Sequence, residues 1–556
     1  MFAFLKSHKL LIAVFLLALF LRIFKLGEFP VGFHVDEAKA GWNAYSILKT
    51  GQDDRGNKFA LYYNSFGDYR PTGIFYTIIP SLVLFGKSEF AVRFPSALLG
   101  ALTIFPLYFL VNELSRRKKL EIGNWKLEIL AASLLAVSPW HISVSRATSE
   151  VAISMFIALS GLYFIIRFLN SRAKKFLLAG VLLLVLSYFF YHSVRILIPL
   201  FVAVIVFYYW KSLGLHIGCV GTKRLAVGGL VIVSLATFFF SLSSEARGRF
   251  SQVSVFNDLN VQHELEKMPF EEGPNRVFVA RLFHNKPSVY ARRFIEEYSK
   301  YFSPDFLISK SAAPARYVTV GMGVLTYIEA LLFIIGLVAI AQKKASVLPL
   351  LLLFVAPIPA ALTTEDSPNL HRALFMLPFI LIIGAYGLQF LTKVRKWGKL
   401  LFRGALVLLT LNFIFYLHMY YVHNKVHIPL YRNIGAKELA VKIAQIQNSY
   451  NKIILTNIPD DPYPWIAFFT GQDPAVFNKD AVTREKGNWM SENLVFVGQR
   501  CPSRDAFTQI DVERLLVVDA EGCASESNLK GKQGINMEEI KRTDGTVVYT
   551  LWSTQN

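Results

Sequence analysis

Long apolar runs separated by short polar segments dominate the sequence. The first run, residues 10–21, follows Lys6 and Lys9 and is not followed by a small-residue cleavage site. We therefore interpret it as an uncleaved signal anchor with a cytoplasmic N-terminus. The later runs approach the roughly 20 residues that a helix needs to cross the bilayer core. They predict further spans at about residues 90–112, 129–145, 151–168, 176–191, 194–210, 226–243, 319–341, 347–362, 373–392 and 404–421.

One apolar segment, residues 72–85, is too short for a straightforward crossing. If it crossed, the next helix would place the basic cluster at 116–119 outside and would invert every later loop. If it lies in the membrane interface, every basic cluster falls on the cytoplasmic side, as the positive-inside rule favours. We therefore predict an interfacial or re-entrant segment. The external segments are then residues 28–89, 139–150, 191–193, 244–318, 363–372 and everything after 421.

The amino-acid composition also indicates a membrane protein, and the distribution of charge along the chain bears on whether it binds nucleic acid. Of the 556 residues, 53% are hydrophobic and only 18% are charged, which is too apolar for a soluble enzyme of this size. The net charge of +20 raises the question of nucleic-acid binding. Residues 1–421 hold 44 Lys and Arg against 23 Asp and Glu, whereas residues 422–556 hold 15 against 16. Because the excess falls in short clusters between apolar runs, we expect no nucleic-acid partner.

The polar C-terminal region, residues 422–556, has the pattern of a small α/β domain. An amphipathic stretch at 435–447 is followed by strand-like runs at 452–456, 493–497 and 514–519. Cys501 and Cys523 lie in this region and could form a disulfide if it is exported. The sequence thus predicts an α-helical polytopic membrane protein with about eleven transmembrane helices in residues 1–421 and an extracytoplasmic α/β domain after them.

The first external loop opens with two adjacent carboxylates, Asp36 and Glu37, shortly after His34. Carboxylates this close to a membrane usually have a role, and Asp36 is a candidate general base for an acceptor hydroxyl. A structural interpretation is also open, because acidic residues favour the first turn of a helix.

A second element, Asp68-Tyr69-Arg70-Pro71, precedes the segment predicted to be interfacial. The Arg70 guanidinium can bind a lipid phosphate through paired hydrogen bonds. The alternative is an arginine that extends to the lipid headgroups without binding a substrate.

Two further polar groups fall on the same predicted face of the membrane. His141 lies near Arg146 and Glu150 at the turn 139–150, where substrate contacts and interfacial anchoring both remain open. His371 and Arg372 lie at the mouth of a late helix and can offer cationic donors to a phosphate.

Together these elements resemble the GT-C membrane glycosyltransferases. The resemblance points to the branch of protein O-mannosyltransferases and of aminoarabinose transferases that act on lipid A, and it covers residues 1 to about 395. It rests on Asp36-Glu37, the Arg70-Pro71 step, the Glu89-Phe-Ala-Val-Arg-Phe-Pro95-Ser helix entry, Ser138-Pro139 and Arg372.

This resemblance implies a GT-C-like fold and a polyprenyl-phosphate sugar donor, transferred outside the cytoplasm with inversion at the anomeric carbon. Asp36 matches the catalytic base, Glu37 its neighbour, and Arg70 and Arg372 the phosphate contacts. A divalent metal is a further candidate that the resemblance does not decide. The acceptor is a hydroxyl of a protein, a lipid or a glycan, and the sequence favours none of the three.

Two rival functions share the transmembrane helices. A transporter or flippase of lipid-linked sugars would also need cationic phosphate contacts, but it predicts ionisable residues near the membrane midplane. A catalytically silent membrane scaffold would keep the fold and lose the chemistry. Oligomeric state is open in all of these interpretations.

Overall fold

A computed structural model provides the fold of most of the chain. It describes residues 8–65, 68–116, 126–210, 217–242, 254–257, 259–273, 277–309, 312–457, 462–478, 489–491, 493–509, 514–523, 529–530 and 532–554. The side chains of the basic cluster at 116–119 lie outside this part.

Helices account for most of the described chain up to residue 418. The first eleven are α1 (Lys9–Ile23), α2 (Val35–Thr50), α3 (Gly73–Phe85), α4 (Glu89–Leu102), α5 (Ile104–Arg116), α6 (Leu127–Val137), α7 (Pro139–Arg146), α8 (Glu150–Ser171), α9 (Lys174–Leu186), α10 (Val194–Trp210) and α11 (Ile217–Ser241). The next eight are α12 (Leu259–Glu271), α13 (Val277–Phe283), α14 (Lys286–Lys300), α15 (Tyr327–Ala341), α16 (Leu348–Val355), α17 (Ile358–Ala361), α18 (Leu377–Leu391) and α19 (Gly398–His418).

The remaining elements are short helices and two sheets. The helices are α20 (Asn424–His427), α21 (Ala436–Ile446), α22 (Tyr463–Phe469), α23 (Pro474–Phe477) and α24 (Ser503–Gln509). The strands are β1 (Tyr62–Ser65), β2 (Asp68–Pro71), β3 (Lys452–Thr456), β4 (Trp489–Ser491), β5 (Leu494–Val497), β6 (Leu515–Ala520), β7 (Ile535–Lys541) and β8 (Val547–Thr554).

Several helices are apolar enough to cross a membrane. Within the described residues five qualify by length and composition: Glu89–Ser115, Glu150–Ser171, Gly221–Ser241, Leu374–Leu391 and Gly398–His427. Helices α6 and α7 make a sixth if they form one broken span, bent by 54°. Shorter apolar helices are Gly73–Phe85, Val194–Trp210, Tyr327–Ala341 and Leu348–Ala361. A helical membrane protein is therefore confirmed, whereas the count of eleven crossings stays a prediction.

A proline causes the bend between α6 and α7, and an arginine of α1 stabilises it. Pro139 begins α7, and a proline has no N–H to continue the hydrogen-bond ladder of α6. The end of α6 therefore leaves carbonyl groups without helical partners. The Arg22 guanidinium donates to two of them, Leu135 O and Ala136 O, each at 3.1 Å. Helix α1 thus stabilises the break between α6 and α7.

Glycines set the closest helix packing in the described core. Helix α18 is buried over nearly its whole length and lies against α15. A Cβ at Gly387 would overlap the Leu332 carbonyl of α15, and one at Gly336 would overlap the Ile383 carbonyl of α18. Small residues allow backbones to approach this closely in membranes. The two helices therefore depend on glycine at both positions.

The chain divides into two compact units. The first comprises Met1–Phe24, Leu61–Gly73 and Ser96–Met419, and the second comprises Lys25–Ala60, Ile74–Pro95 and Tyr420–Asn556. The second unit therefore includes two N-terminal segments in addition to the predicted domain of residues 422–556.

A six-stranded mixed sheet forms the centre of the second unit, in the order β4-β5-β3-β6-β8-β7. Strand β3 pairs in parallel with β5 and β6, while β4, β8 and β7 run antiparallel to their neighbours. These parallel strands are the three that the sequence predicts, so the small α/β domain is confirmed. Cys501, after β5, and Cys523, after β6, are joined by a disulfide.

We predict that Gly387→Ala destabilises the protein by about 1–3 kcal/mol or more, because a backbone carbonyl cannot move aside for the new methyl group. The matched control is Gly404→Ala in α19, where no atom lies within 4 Å of the added Cβ. That change should be neutral or stabilising by about 0.5–1 kcal/mol, since alanine favours helix. Thermal unfolding in detergent measures both. Equal effects of the two substitutions would contradict the proposed helix contact.

Candidate functional site

The adjacent carboxylates Asp36 and Glu37 occupy the first turn of α2. His34 is the N-cap residue, and its Nδ1 accepts the Asp36 N–H at 3.1 Å. The Glu37 carboxylate accepts the His34 N–H at 3.1 Å, which completes a reciprocal capping box. The first-turn placement that the sequence offered as an alternative is therefore present, and it leaves the chemistry of Asp36 open.

Glu37 is held by two buried guanidinium groups. Arg93 donates Nε to Oε1 at 2.9 Å and Nη2 to Oε2 at 3.1 Å, a bidentate pair. Arg432 donates Nη2 to Oε2 as well. All three side chains are almost completely buried. Buried charges are tolerated when they are paired in this way, so the trio forms a fixed ionic network.

The same arginines hold the loop that leads into α2. Arg93 donates to the carbonyl oxygens of Leu26 and Gly32, and Arg432 donates Nε to Val31 O at 2.9 Å. The loop and the first turn of α2 are therefore fixed together. Neither arginine was among the candidate site residues, although Arg93 lies in the Glu89–Pro95 helix entry that is part of the family resemblance.

Asp36 differs from its neighbour in exposure. Its side chain is 22% exposed, and Oδ2 lies 3.5 Å from His34 Nδ1. Glu37 is fully engaged with Arg93 and Arg432, which suits a positioning role better than contact with a substrate. Asp36 is thus the carboxylate of the pair that a substrate can reach.

The loop 363–372 in the first unit carries Arg372. Its guanidinium donates to Thr363 Oγ1 at 2.8 Å and to Glu365 O at 2.7 Å, and it pairs with the Glu365 carboxylate at 2.5 Å. The Arg372 side chain is 11% exposed and that of Glu365 is 49% exposed. A phosphate that binds Arg372 would therefore compete with an exposed carboxylate.

His371 is enclosed by aromatic rings. It stacks on Tyr317 at 4.8 Å between centroids and meets the Tyr191 ring edge-on at 5.6 Å. Its Nε2 lies 3.0 Å from Ser149 Oγ. Tyr191 is also an electrostatic neighbour of both Arg372 and Glu150. Glu150 therefore lies in the surroundings of the Arg372 loop.

Glu297 in α14 and Tyr301 at its C-terminus hold this loop, and no local pattern in the sequence predicts either contact. The buried Glu297 carboxylate accepts the Ser367 hydroxyl, and the Tyr301 hydroxyl accepts the Asn369 N–H at 3.2 Å. Burial raises the pKa of Tyr301 to about 12, so its hydroxyl stays neutral. Helix α14 and the residue that follows it thus support the loop that carries His371 and Arg372.

Arg70 lies on a short hairpin in the first unit. Strands β1 and β2 pair antiparallel, with Arg70 opposite Tyr63 and Tyr69 opposite Asn64. The Arg70 and Tyr69 side chains are partly exposed. The side chain of Asp68 lies outside the described part, and its suggested substrate contact stays a prediction.

His141 and Arg146 are buried within α7. His141 Nδ1 lies 2.7 Å from Arg22 Nη2, and Arg146 donates to Leu21 O and Phe24 O, each at 2.8 Å. Neither side chain has exposed surface. The substrate contacts suggested by the sequence are therefore not supported for this pair, because burial leaves a substrate nothing to touch.

The described residues contain no group of three or more His, Cys, Asp and Glu side chains placed to hold a metal ion.

One family model matches the chain, that of the dolichyl-phosphate-mannose-protein mannosyltransferases, over residues 69–238. A comparison with curated proteins finds no match. The family match begins at Tyr69, directly before Arg70, and ends within α11. Over these residues the resemblance to the GT-C membrane glycosyltransferases is confirmed.

Three solved structures show more distant similarity. ArnT from Cupriavidus metallidurans, solved with bound undecaprenyl phosphate, is 13% identical with a TM-score of 0.49 and 98% of each chain covered. The Archaeoglobus fulgidus oligosaccharyltransferase is 12% identical with a TM-score of 0.46. The match covers 83% of this chain and 61% of the oligosaccharyltransferase chain. The mycobacterial arabinofuranosyltransferase AftD is 13% identical with a TM-score of 0.40, covering 99% of this chain and 40% of its own. At these TM-scores a shared fold is not established.

We predict that Glu37→Ala destabilises the protein by roughly 3–5 kcal/mol, because it leaves two buried guanidinium groups without their carboxylate. The control is Glu28→Ala, which removes a 3.5 Å pair with Lys25 whose side chains are 66% and 50% exposed. Exposed pairs contribute at most about 1 kcal/mol. Thermal unfolding of both variants measures the difference, and a small effect of Glu37→Ala would show that the network is dispensable.

Proposed function

Starting from the family match over residues 69–238, we propose that the protein is an inverting glycosyltransferase. It transfers a sugar from a polyprenyl-phosphate donor to an acceptor hydroxyl on the extracytoplasmic face of the membrane. The observation that carries the proposal is the partly exposed Asp36 carboxylate beside a neighbour, Glu37, that is locked by two arginines.

Asp36 is assigned the role of general base. The acceptor hydroxyl gives its proton to the Asp36 carboxylate while its oxygen forms the new bond to the anomeric carbon. The bond from that carbon to the phosphate oxygen breaks, and its electron pair leaves with polyprenyl phosphate. Attack opposite the leaving group inverts the anomeric configuration. The rigid first turn of α2 suits this role, because a base acts best at a fixed distance from the proton.

Arg70 and Arg372 are assigned to the leaving phosphate. A guanidinium presents paired N–H donors that match two phosphate oxygens. Positive charge at this position stabilises the negative charge that develops on the leaving group. His371 is a weaker candidate, since its ring is enclosed by Tyr191 and Tyr317 and its Nε2 already contacts Ser149.

The donor class is supported by the matched family, whose description specifies dolichyl-phosphate-mannose, a polyprenyl-phosphate sugar. The extracytoplasmic face is supported by two independent observations. Basic clusters fall on the opposite side under the positive-inside rule. The Cys501–Cys523 disulfide suits an oxidising compartment.

A transporter of lipid-linked sugars would use buried ionisable residues along a translocation path. The buried arginines of the first unit have another role that is visible in their contacts. Arg22 and Arg146 donate to backbone carbonyls at helix ends, which is structural. We therefore favour transfer over transport.

We predict that Asp36→Asn reduces sugar transfer by at least 100-fold, since loss of a general base typically costs 10²–10⁴ in rate. Folding should be unaffected, because Asn retains the shape of Asp and suits a helix first turn. The measurement is glycan and lipid analysis of a deletion strain complemented with each variant. Wild type should restore the glycoconjugate, and Asp36→Asn should leave the lipid-linked sugar to accumulate.

The matched control for this substitution is Asp473→Asn, which changes an N-cap residue in the same unit. Asn caps helices as well as Asp, so this variant should restore full transfer. Transfer by Asp36→Asn within a few-fold of wild type would remove Asp36 as the base.

We predict that Arg372→Ala weakens binding of polyprenyl phosphate by at least tenfold, since a charged hydrogen-bond donor contributes about 1.5–3 kcal/mol. Glu365→Gln should strengthen binding, because it removes the carboxylate that competes with phosphate for Arg372. Equilibrium binding to protein in lipid nanodiscs measures both. Unchanged affinity in Arg372→Ala would exclude this arginine from the donor site.

A further inference from the structure

The hairpin that carries Arg70 is too small to be stable alone. Strands β1 and β2 contain four residues each, and an isolated two-stranded hairpin is at best marginally stable in water. The direction of the Arg70 side chain depends on the backbone of Tyr69–Pro71. Whatever fixes that backbone therefore also fixes Arg70.

His192, in the short segment between α9 and α10, holds the hairpin backbone directly. Its Nε2 lies 2.8 Å from Tyr69 O, and its Nδ1 lies 3.2 Å from Arg195 Nη1. A carbonyl only accepts and a guanidinium only donates, so the chemistry assigns the proton to Nε2. The imidazole also stacks on the Tyr62 ring, with centroids 5.9 Å apart.

Arg195 joins the same hairpin to two further elements. It donates to the Tyr62 hydroxyl at 2.7 Å and to Tyr188 O at 3.0 Å, and its side chain is buried. The guanidinium lies 5.1 Å from the centroids of both the Tyr62 and Phe240 rings. The Tyr62 hydroxyl donates onward to Phe240 O at 3.1 Å. The hairpin is thus tied to the end of α11.

Close backbone contact completes the arrangement. Gly73, directly after the hairpin, lies so near Phe189 O that a Cβ would overlap it. The hairpin therefore meets the segment 187–195 through hydrogen bonds, stacked rings and direct backbone contact.

We propose that His192 and Arg195 are positioning residues that orient the Arg70 guanidinium toward the donor phosphate by holding the hairpin backbone. This inference rests on the proposed function, because it assumes that Arg70 binds the phosphate of a polyprenyl-phosphate donor. Fixing the hairpin in advance spares the donor the entropy cost of ordering it on binding. Neither residue contacts the donor itself.

The test is a double-mutant cycle on binding of polyprenyl phosphate to the full chain in nanodiscs. His192→Leu should weaken binding about five- to tenfold, the equivalent of one lost hydrogen bond. His192→Gln should bind within about twofold of wild type, since its amide can donate to Tyr69 O and accept from Arg195. In the Arg70→Ala background, His192→Leu should cause no further loss.

Two further variants serve as a second test of the positioning role and as its control. Tyr62→Phe removes only a hydroxyl and should weaken binding in the same direction, which covers the case in which His192→Leu fails to fold. His284→Leu is the matched control. It changes a histidine of the same unit that pairs with Glu272 at 3.1 Å, and it should leave affinity unchanged.

The outcomes separate this inference from the proposed function. If Arg70→Ala weakens binding but His192→Leu and Tyr62→Phe do not, the positioning role is overturned and the donor assignment stands. If the losses of His192→Leu and Arg70→Ala multiply, His192 acts independently of Arg70 and the proposal is equally overturned. If Arg70→Ala binds as wild type does, the donor assignment of Arg70 fails and this inference fails with it.

Discussion

The second unit depends on one buried ionic contact, in which the Glu37 carboxylate is shared by Arg93 and Arg432. These residues come from three distant parts of the chain, and none could be buried alone, because an unpaired charge in a protein interior is severely unfavourable. Their pairing therefore fixes the loop at 26–32 and the first turn of α2 at once. Asp36 inherits its position from this network while keeping its own carboxylate partly exposed.

Arginine has a similar part in the first unit, but with backbone carbonyls as the partners. Arg22 donates to the end of α6, Arg146 to the end of α1, and Arg195 to Tyr188 O. Helix ends and irregular backbone present carbonyl groups that neither water nor lipid satisfies in an apolar interior. A guanidinium has five N–H donors and can donate hydrogen bonds to several such carbonyl groups at once. Buried arginines are therefore expected wherever these helices break or end.

These contacts separate residues that hold the structure in place from residues that a substrate can reach. Buried residues such as Glu37, Glu297 and Arg195 hold backbone or other side chains, whereas Asp36 and Arg70 retain exposed surface. Exposure alone would leave a reactive group loosely placed, and burial alone would leave it inaccessible. Pairing each exposed group with buried neighbours provides a fixed position and access together, as a transfer reaction between a lipid and a hydroxyl requires.

Features that depend on local composition and periodicity could be predicted from the order of residues. Apolar runs identified the membrane helices, alternating patterns identified β3, β5 and β6, and the pair Asp36-Glu37 marked the first turn of α2. Features that depend on partners distant in the chain became visible only in the folded protein. Only folding separates Asp36 from Glu37 by exposure, buries His141 and Arg146, and brings Arg432 to Glu37 or His192 to Tyr69. The physical reason is that burial and ion pairing belong to pairs of residues, and no local pattern encodes the second member of a pair.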